Sequence, residues 1–219
     1  MVMTPKFAPC LARTRPLPPA VEASRTTEDG SRKHAALAPL VRQPWLLRVG
    51  TSNLVIRGAD ARDLQPVAGL HARSSAQSRL DRYRLGGRGP SVLAMQRMLR
   101  RPLAFVAATR DGAVVALAVA AIDARHSPTS AEVGLIIEDR WQGLGVGREL
   151  TTHLAAAAAV CGYTDLIAYT ATSVLPAQRL LLAVGTTRVV ADVEHPHLHT
   201  SLPESAALGL GAVRERLAS

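Results

Sequence analysis

The chain has 219 residues, 47% of them hydrophobic but only 3% aromatic, and a formal net charge of +9. This size and apolar content fit one domain with added tail, and the core must come from Leu, Val, Ile and Ala. Two isolated cysteines, Cys10 and Cys161, give neither a disulfide framework nor metal-ligand spacing. No apolar run reaches the length of about 18 residues that spans a membrane, so a cytoplasmic protein without a membrane partner is expected.

Residues 1–50 carry eight Lys/Arg against three Asp/Glu, and the remainder eighteen against fourteen. Over half of the positive excess thus sits in the first quarter. There R-T-R-P-L-P-P-A and R-T-T-E-D-G-S-R-K-H show no hydrophobic period. Residues 1–48 are expected to be a disordered basic tail, with Trp45, Leu46 and Leu47 docking on the domain. Only Lys6 and Lys33 are lysines. That bias reads as GC-rich coding rather than as a surface for nucleic acid, and no aromatic stacking platform supports such binding.

Residues 54–57 (L-V-I-R) suit a first strand. Asp60 and Asp63 then place acidic groups in the first turn of a helix running to about Arg73. The segment S-A-Q-S-R-L-D-R-Y follows, with Ser75, Ser78, Arg79, Arg82 and Tyr83, and then a glycine-rich loop and a short helix over 92–101. Residues 103–109 and 114–120 are two strands joined at Arg110-Asp111-Gly112, a tight hairpin signal. The loop at 123–130 contains His126, read as solvated.

Next comes A-E-V-G-L-I-I-E-D-R-W-Q-G-L-G-V-G-R-E-L. Residues 133–137 form a short, nearly apolar run that suits a strand buried on both faces. From Val146 the apolar positions fall at Leu150, Leu154, Ala158 and Cys161, which is helical spacing. Between them lie Gln142, Gly143, Leu144, Gly145, Val146 and Gly147. Glu138 and Asp139 are read as solvated, and Glu149 and His153 as a surface pair. A fifth strand follows at 165–170. Then comes a helix over 177–184, started by Pro176 and closed by Gly185. A last hairpin covers 189–194 and 198–202, and a terminal helix 204–217. His195, His197 and His199 alternate and would share one face of a strand, but Pro196 among them suits a solvated turn.

A strand running through glycines into a helix start has a chemical use. The first helical N–H groups lack internal partners, and the dipole there favours an anion. Glycine lets that backbone approach a phosphate, and Arg148 adds a charge. The glycines follow neither the dinucleotide fingerprint nor the P-loop spacing. They do fit Q-x-x-G-x-G at Gln142, Gly145 and Gly147, after a strand carrying Ala131-Glu132.

This block resembles the acyl-CoA motif of the GNAT N-acetyltransferases, and Ser75, Ser78, Arg79, Arg82 and Tyr83 resemble a segment of the bacterial Pat-type protein lysine acetyltransferases. The resemblance implies an α+β domain around a mixed sheet, ordered β-α-α-β-β-β-α-β-α-β-β, over residues 49–203, with a C-terminal tail over 204–219. It implies acetyl-CoA as co-substrate. Pyrophosphate would lie on Gln142, Gly143, Leu144, Gly145, Val146, Gly147 and Arg148, and pantetheine along Leu135, Ile136 and Ile137. The acceptor is an amine, a protein lysine or a small molecule. Glu132 is the implied general base, and Arg79, Arg82 and Tyr83 are the acceptor side, reading acidic surfaces near a target amine. A solvated arginine-rich helix end is the other reading of that segment. Two departures stand out. Leu181 occupies the place of the usual acid Tyr, and Thr172-Ser173-Val174 holds no Asn. The acid is then Tyr169 or water, or the chain is a non-catalytic acyl-CoA-binding module. A homodimer is left open.

Overall fold

The computed structural model describes residues 43–83, 89–123, 125–169, 175–192 and 196–208. Strands β1 (Trp45–Val49) and β2 (Ser52–Gly58) open the fold. Three helices follow: α1 (Leu64–Arg73), α2 (Ala76–Tyr83) and α3 (Val92–Leu99). Then come β3 (Leu103–Thr109), β4 (Val114–Ile122), β5 (Ser130–Ile137), α4 (Val146–Val160), β6 (Asp165–Ala168), α5 (Leu175–Leu182), β7 (Thr186–Val190) and β8 (His197–Ser201). The eight strands form one mixed sheet in the order β1-β2-β3-β4-β5-β6-β8-β7. Only β5 and β6 pair in parallel; every other neighbour is antiparallel.

Two apolar layers sandwich the sheet. On one face Val146, Leu150, Leu154 and Ala158 of α4 pack against Leu54, Ile56, Phe105 and Ala118. The alanines of α4 are buried too, which lets the helix lie close on β3 and β4. On the other face Val67 and Leu70 of α1 and Met95 and Leu99 of α3 cover Val106, Leu117, Val119 and Ile136. The start of α1 is fixed by charge. The Asp60 carboxylate accepts the Arg62 N–H at 2.8 Å, and the Asp63 carboxylate accepts the Asp60 N–H at 2.8 Å. Arg57 at the end of β2 donates twice to buried Asp63, at 2.7 and 2.6 Å, tying strand to helix.

The expected elements are present, with five differences. The first strand of the last hairpin, expected at 189–194, is β7 at Thr186–Val190. Trp45–Val49 is a strand paired with β2, not the end of a tail. Its indole stacks on His153 at 4.0 Å between ring centroids, and His153 meets Phe105 edge-on at 4.7 Å. His153 is therefore buried in the core rather than paired at the surface with Glu149. The segment 76–83 is a helix of its own, so three helices separate β2 from β3. The C-terminal segment begins as a 3-10 turn, Glu204–Leu208, and the rest of the expected helix lies outside the described residues.

The Trp45–His153–Phe105 stack yields a test of whether β1 belongs to the cooperative fold. Trp45→Ala should lower unfolding stability by about 2–3 kcal/mol, short of the ~3–5 of a fully buried aromatic. Leu46→Ala, at a side chain 60% exposed, should stay within about 0.5 kcal/mol. Denaturant melts of the two variants check this, and equal midpoints would place β1 outside the fold.

Candidate functional site

The parallel pair β5–β6 is short. Ser130, Ala131 and Glu132 lie opposite Asp165, Leu166 and Ile167, and the pairing ends there although β5 runs on to Ile137. The two strands diverge, and a wedge opens between them. Alternation along β5 fixes which groups face it. The Asp123 N–H bonds to the Ser130 carbonyl and the Glu138 N–H to the Val115 carbonyl, so the even-numbered residues of β5 pair with β4. The Val133 N–H closes the last bridge to Ile167, and beyond it the Val133 carbonyl, both groups of Leu135 and the Ile137 N–H point into the wedge, part of a ladder without a strand to complete it.

The wedge is part of a cavity of about 530 Å³. Its floor is residues 133–137, and its far end is the turn before α4. Gly143 and Gly145 adopt φ of +72° and +89°, and Gly145 is the N-cap of α4. A side chain at either would strain the left-handed backbone that aims the first helical N–H groups into the cavity. Gly147, Arg148 and, from α5, Arg179 and Leu180 also line it. Of the expected cofactor residues, Leu135, Ile136, Ile137, Gln142, Gly143, Gly145, Gly147 and Arg148 border the cavity. Val146 is instead fully buried in the core, and Leu144 points outward, 53% exposed.

The Gln142 side chain is engaged inside the protein. Its Nε2 donates to the Ile137 carbonyl at 2.9 Å and to Ser78 Oγ at 3.0 Å. Ser75 and Ser78 in turn donate to one carboxylate, that of Asp139. The Ser75 N–H does so at 2.7 Å and the two hydroxyls at 2.6 and 2.9 Å. Burial works against the ionised form of Asp139, but these donors outweigh it and hold the carboxyl below its ordinary value. The two serines therefore brace the start of α2 against the turn before α4. Glu138, expected in solvent, is buried and takes the Arg73 and Arg140 guanidinium groups at 2.8 and 2.6 Å.

The three expected acceptor residues divide. The Arg79 guanidinium donates to the carbonyls of His71, at 3.0 Å, and Ser74, closing the end of α1. Tyr83 Oη lies 2.6 Å from His71 Nε2, while His71 Nδ1 lies 2.7 Å from the Val67 carbonyl. A carbonyl only accepts, so Nδ1 carries the proton and Tyr83 donates to Nε2. Burial pushes the imidazole pKa down, which keeps it neutral in that role. Arg79 and Tyr83 thus hold α1 and α2 together, and Arg82 alone of the three lines the cavity.

Glu132 is half-buried at the apex of the wedge, one residue before the cavity wall begins at Val133. It alternates with Ala131 and Val133, whose side chains pack on the α4 face, so it shares the opposite face with Gly134 and Ile136. Across the wedge stands Tyr169, whose hydroxyl donates to buried Asp123 at 2.6 Å. Burial and that carboxylate push the phenol well above its ordinary pKa. Leu181 is buried in the core, and residues 172–174 lie outside those described.

Sequence reasoning missed a cluster beside Tyr169. His126 is exposed, as expected, but its ring is engaged: its Nδ1 lies 3.1 Å from Asp123 and its Nε2 3.2 Å from His197 Nε2. His197 and His199 lie on β8, not in a solvated turn, and His199 bonds Asp165 at 2.8 Å; His195 is outside the described residues. Polar residue types read as surface, and only the pairing of β8 with β6 brings these rings together. Among the described residues no group of three or more His, Cys, Asp or Glu is arranged to hold a metal ion. No helix among them is long and apolar enough to cross a membrane.

The comparison with curated proteins gives no match. Among solved structures, the GNAT domain of Streptomyces lividans PAT superposes with a TM-score of 0.64 at 19% identity, covering 74% of this chain and 97% of that one. A putative acetyltransferase from Salmonella typhimurium, solved with its cofactor acetyl-CoA, gives 0.54 at 20%, over 70% of this chain and 96% of that one. A putative phosphinothricin N-acetyltransferase gives 0.54 at 21%, over 69% and 99%. These likenesses concern the fold. The model of the acetyltransferase (GNAT) family matches residues 75–185, more than half of the sequence and all of the wedge, so the chain belongs to the GNAT family of acetyltransferases.

Proposed function

We propose that the protein is an acetyl-CoA-dependent N-acetyltransferase that acts on a primary amine, a protein lysine or a small amine, by direct attack in a ternary complex. The wedge between β5 and β6 carries this reading. It offers the open backbone groups of Leu135, with the Val133 carbonyl and the Ile137 N–H, along one wall and a helix N-terminus at its end. The residues present fit acyl-CoA. The N–H groups at the start of α4, with Arg148 and Arg179, suit a pyrophosphate. The open edge of β5 suits an amide-bearing chain laid alongside as an added strand. Bound acetyl-CoA supplies a thioester carbonyl carbon as electrophile.

The work of this chain is to orient the acceptor and move protons. An alkylammonium must lose a proton before its nitrogen attacks, and Glu132 takes it. The N–C bond forms and the C–S bond breaks, and the thiolate stays on the pantetheine arm beside β5. An N–H of β5 facing the wedge stabilises the charge that develops on the carbonyl oxygen. Tyr169 keeps its proton for Asp123, and Leu181 has none to give, so solvent water protonates the thiolate. A second reading, a non-catalytic acyl-CoA-binding module, draws on Leu181 and on the position of Glu132 just outside the cavity wall.

Titration calorimetry of the purified protein with acetyl-CoA should give micromolar-range binding, about −8 kcal/mol, and Gly147→Glu should abolish it. A Cβ at 147 would come within 2.9 Å of Ile137 Cδ1 and 3.4 Å of Leu180 Cδ1, flexible ends that can shift, so the fold should survive. A folded wild type that binds no acetyl-CoA sinks the proposal. For the chemistry, Glu132→Gln should slow CoA release with an amine acceptor by roughly 10²–10⁴-fold and leave acetyl-CoA affinity intact. A wild type that binds acetyl-CoA yet acetylates no amine would favour the non-catalytic module.

A further inference from the structure

Arg82 occupies an unusual place. Its guanidinium lies directly over the Cα of Gly134 in the middle of β5. A Cβ built on residue 134 would fall 2.0 Å from Nη2 and 2.1 Å from Cζ. Gly134 is thus the one position of the wedge floor whose lack of a side chain makes room for a charge. The arginine is also held in place from behind. Its Cζ sits 4.9 Å from the centroid of the Tyr83 ring, and Tyr83 is pinned through His71 to the backbone of α1.

Glu132, two residues from Gly134 on the same face, is the proposed base and forms no ion pair with Arg82 among the described residues; the other nearby carboxylates are used elsewhere. Asp81, also at the cavity, accepts from Gln77 Nε2 at 2.7 Å. Asp139 takes the two serines, and Glu138 takes Arg73 and Arg140. Among the described residues Arg82 has no ion pair, though it is half-buried and lines the cavity. Nor is it placed to serve the pyrophosphate. Gly134 lies three residues before the end of β5, about 10 Å along the strand at ~3.3 Å per residue, and the phosphate-binding turn lies beyond that end. A planar guanidinium with free donors, seated above the floor where the reacting amine must arrive, matches a carboxylate in bidentate geometry.

We propose that Arg82 is a specificity-determining residue that receives a carboxylate carried beside the acceptor amine. The preferred acceptor is then an amine with an anionic neighbour. That carboxylate is either the α-carboxylate of a free amino acid or an acidic side chain next to a lysine in a peptide. The chemistry is the same in both, and a solvent-facing lysine without such a neighbour is a poor acceptor. This inference rests on the acetyl-transfer reading above. Gly134 belongs to the same device, since any side chain there displaces the guanidinium.

The test compares CoA release at fixed pH for two acceptor pairs with wild type, Arg82→Gln and Arg82→Lys. One pair is glycine and glycinamide. The other is a short peptide with lysine flanked by Glu and its counterpart with Gln. Wild type should prefer the carboxylate member of at least one pair, and that pair identifies the source. Arg82→Gln should erase the preference through a roughly 10–100-fold rise in KM, and Arg82→Lys should restore part of it. Gly134→Ala should erase it as well, a second route that does not depend on how Arg82→Gln folds. Acetyl-CoA affinity, measured on the same samples, separates the two levels of failure. Loss of acetyl-CoA binding in wild type would overturn the acetyl-transfer reading and this one with it. Normal acetyl-CoA binding with equal rates inside both pairs, or a preference that survives Arg82→Gln, overturns the carboxylate proposal alone. Should no acceptor turn over, the same pairs are titrated into the CoA complex, and equal affinities there overturn it too.

Discussion

The divergence of β6 from β5 after Ile167 is the constraint on which the site depends. A sheet ordinarily satisfies both edges of an interior strand. Here β5 is interior up to Glu132 and an edge from Val133 onward. The cost of the open edge falls on the Val133 carbonyl, both groups of Leu135 and the Ile137 N–H, which face a cavity instead of a strand. β4 holds β5 in place on the other side over its whole length, from Ala131 to Ile137. The departure of β6 is secured in turn by Tyr169, one residue past its end, whose hydroxyl is anchored on Asp123 at the end of β4. That hydrogen bond crosses the sheet behind the apex.

A second set of interactions couples the two ends of the cavity. Asp139 and Gln142 flank the turn leading to α4, and both reach Ser78 of α2. Gln142 also reaches the Ile137 carbonyl, the last residue of β5. Strand, glycine turn and α2 therefore move as one piece. A displacement of the helix that carries Arg82 would be felt at the N–H groups of α4, and the reverse. Hydrogen bonds to an ionised carboxylate are among the stronger ones at a protein surface, and three of them converge on Asp139. Ser75, Ser78 and Gln142, which the sequence suggests as ligand-facing, thus act at one remove, by fixing the backbone that does face the ligand.

Much of the frame was legible because its periods are local. The apolar run of β5, the 3.6-residue stripe of α4 and the hairpin glycine at Gly112 each report their own conformation. What escaped was set by partners distant in sequence. β1 is five residues after a long stretch without pattern, and only pairing with β2 and the stack on His153 make it a strand. α2 has no buried side chain, so no hydrophobic stripe announces it; its stability comes from Asp139 and from Tyr83 on His71. Histidines read as surface or passed over took structural places. His153 is aromatic filling between Trp45 and Phe105, His71 is a hydrogen-bond relay between helices, and His126 and His197 face one another across two strands. A polar residue type predicts exposure only when nothing elsewhere supplies its partners.

Proton traffic is where this chain departs most from the family pattern it resembles. Under the proposed mechanism one proton must leave the acceptor and one must reach the thiolate. The side chains near the apex are unequal to the second task. Leu181 is apolar, and Tyr169 is bound to a carboxylate that raises its pKa and directs its hydrogen away from the wedge. A phenol in that state orients its neighbours better than it donates a proton. A thiolate, by contrast, is a far better leaving group than an alkoxide, since a thiol is acidic by comparison (about 8.5 for cysteine), and it can leave unprotonated and take its proton afterwards. The mouth of the cavity is open to water. The loss of a dedicated acid therefore need not stop turnover, provided that deprotonation of the amine and its orientation under Arg82 remain in place. Under that proposal the burden of catalysis rests on Glu132 and on positioning, and Arg82 above Gly134 is the group on the acceptor side that can supply the second.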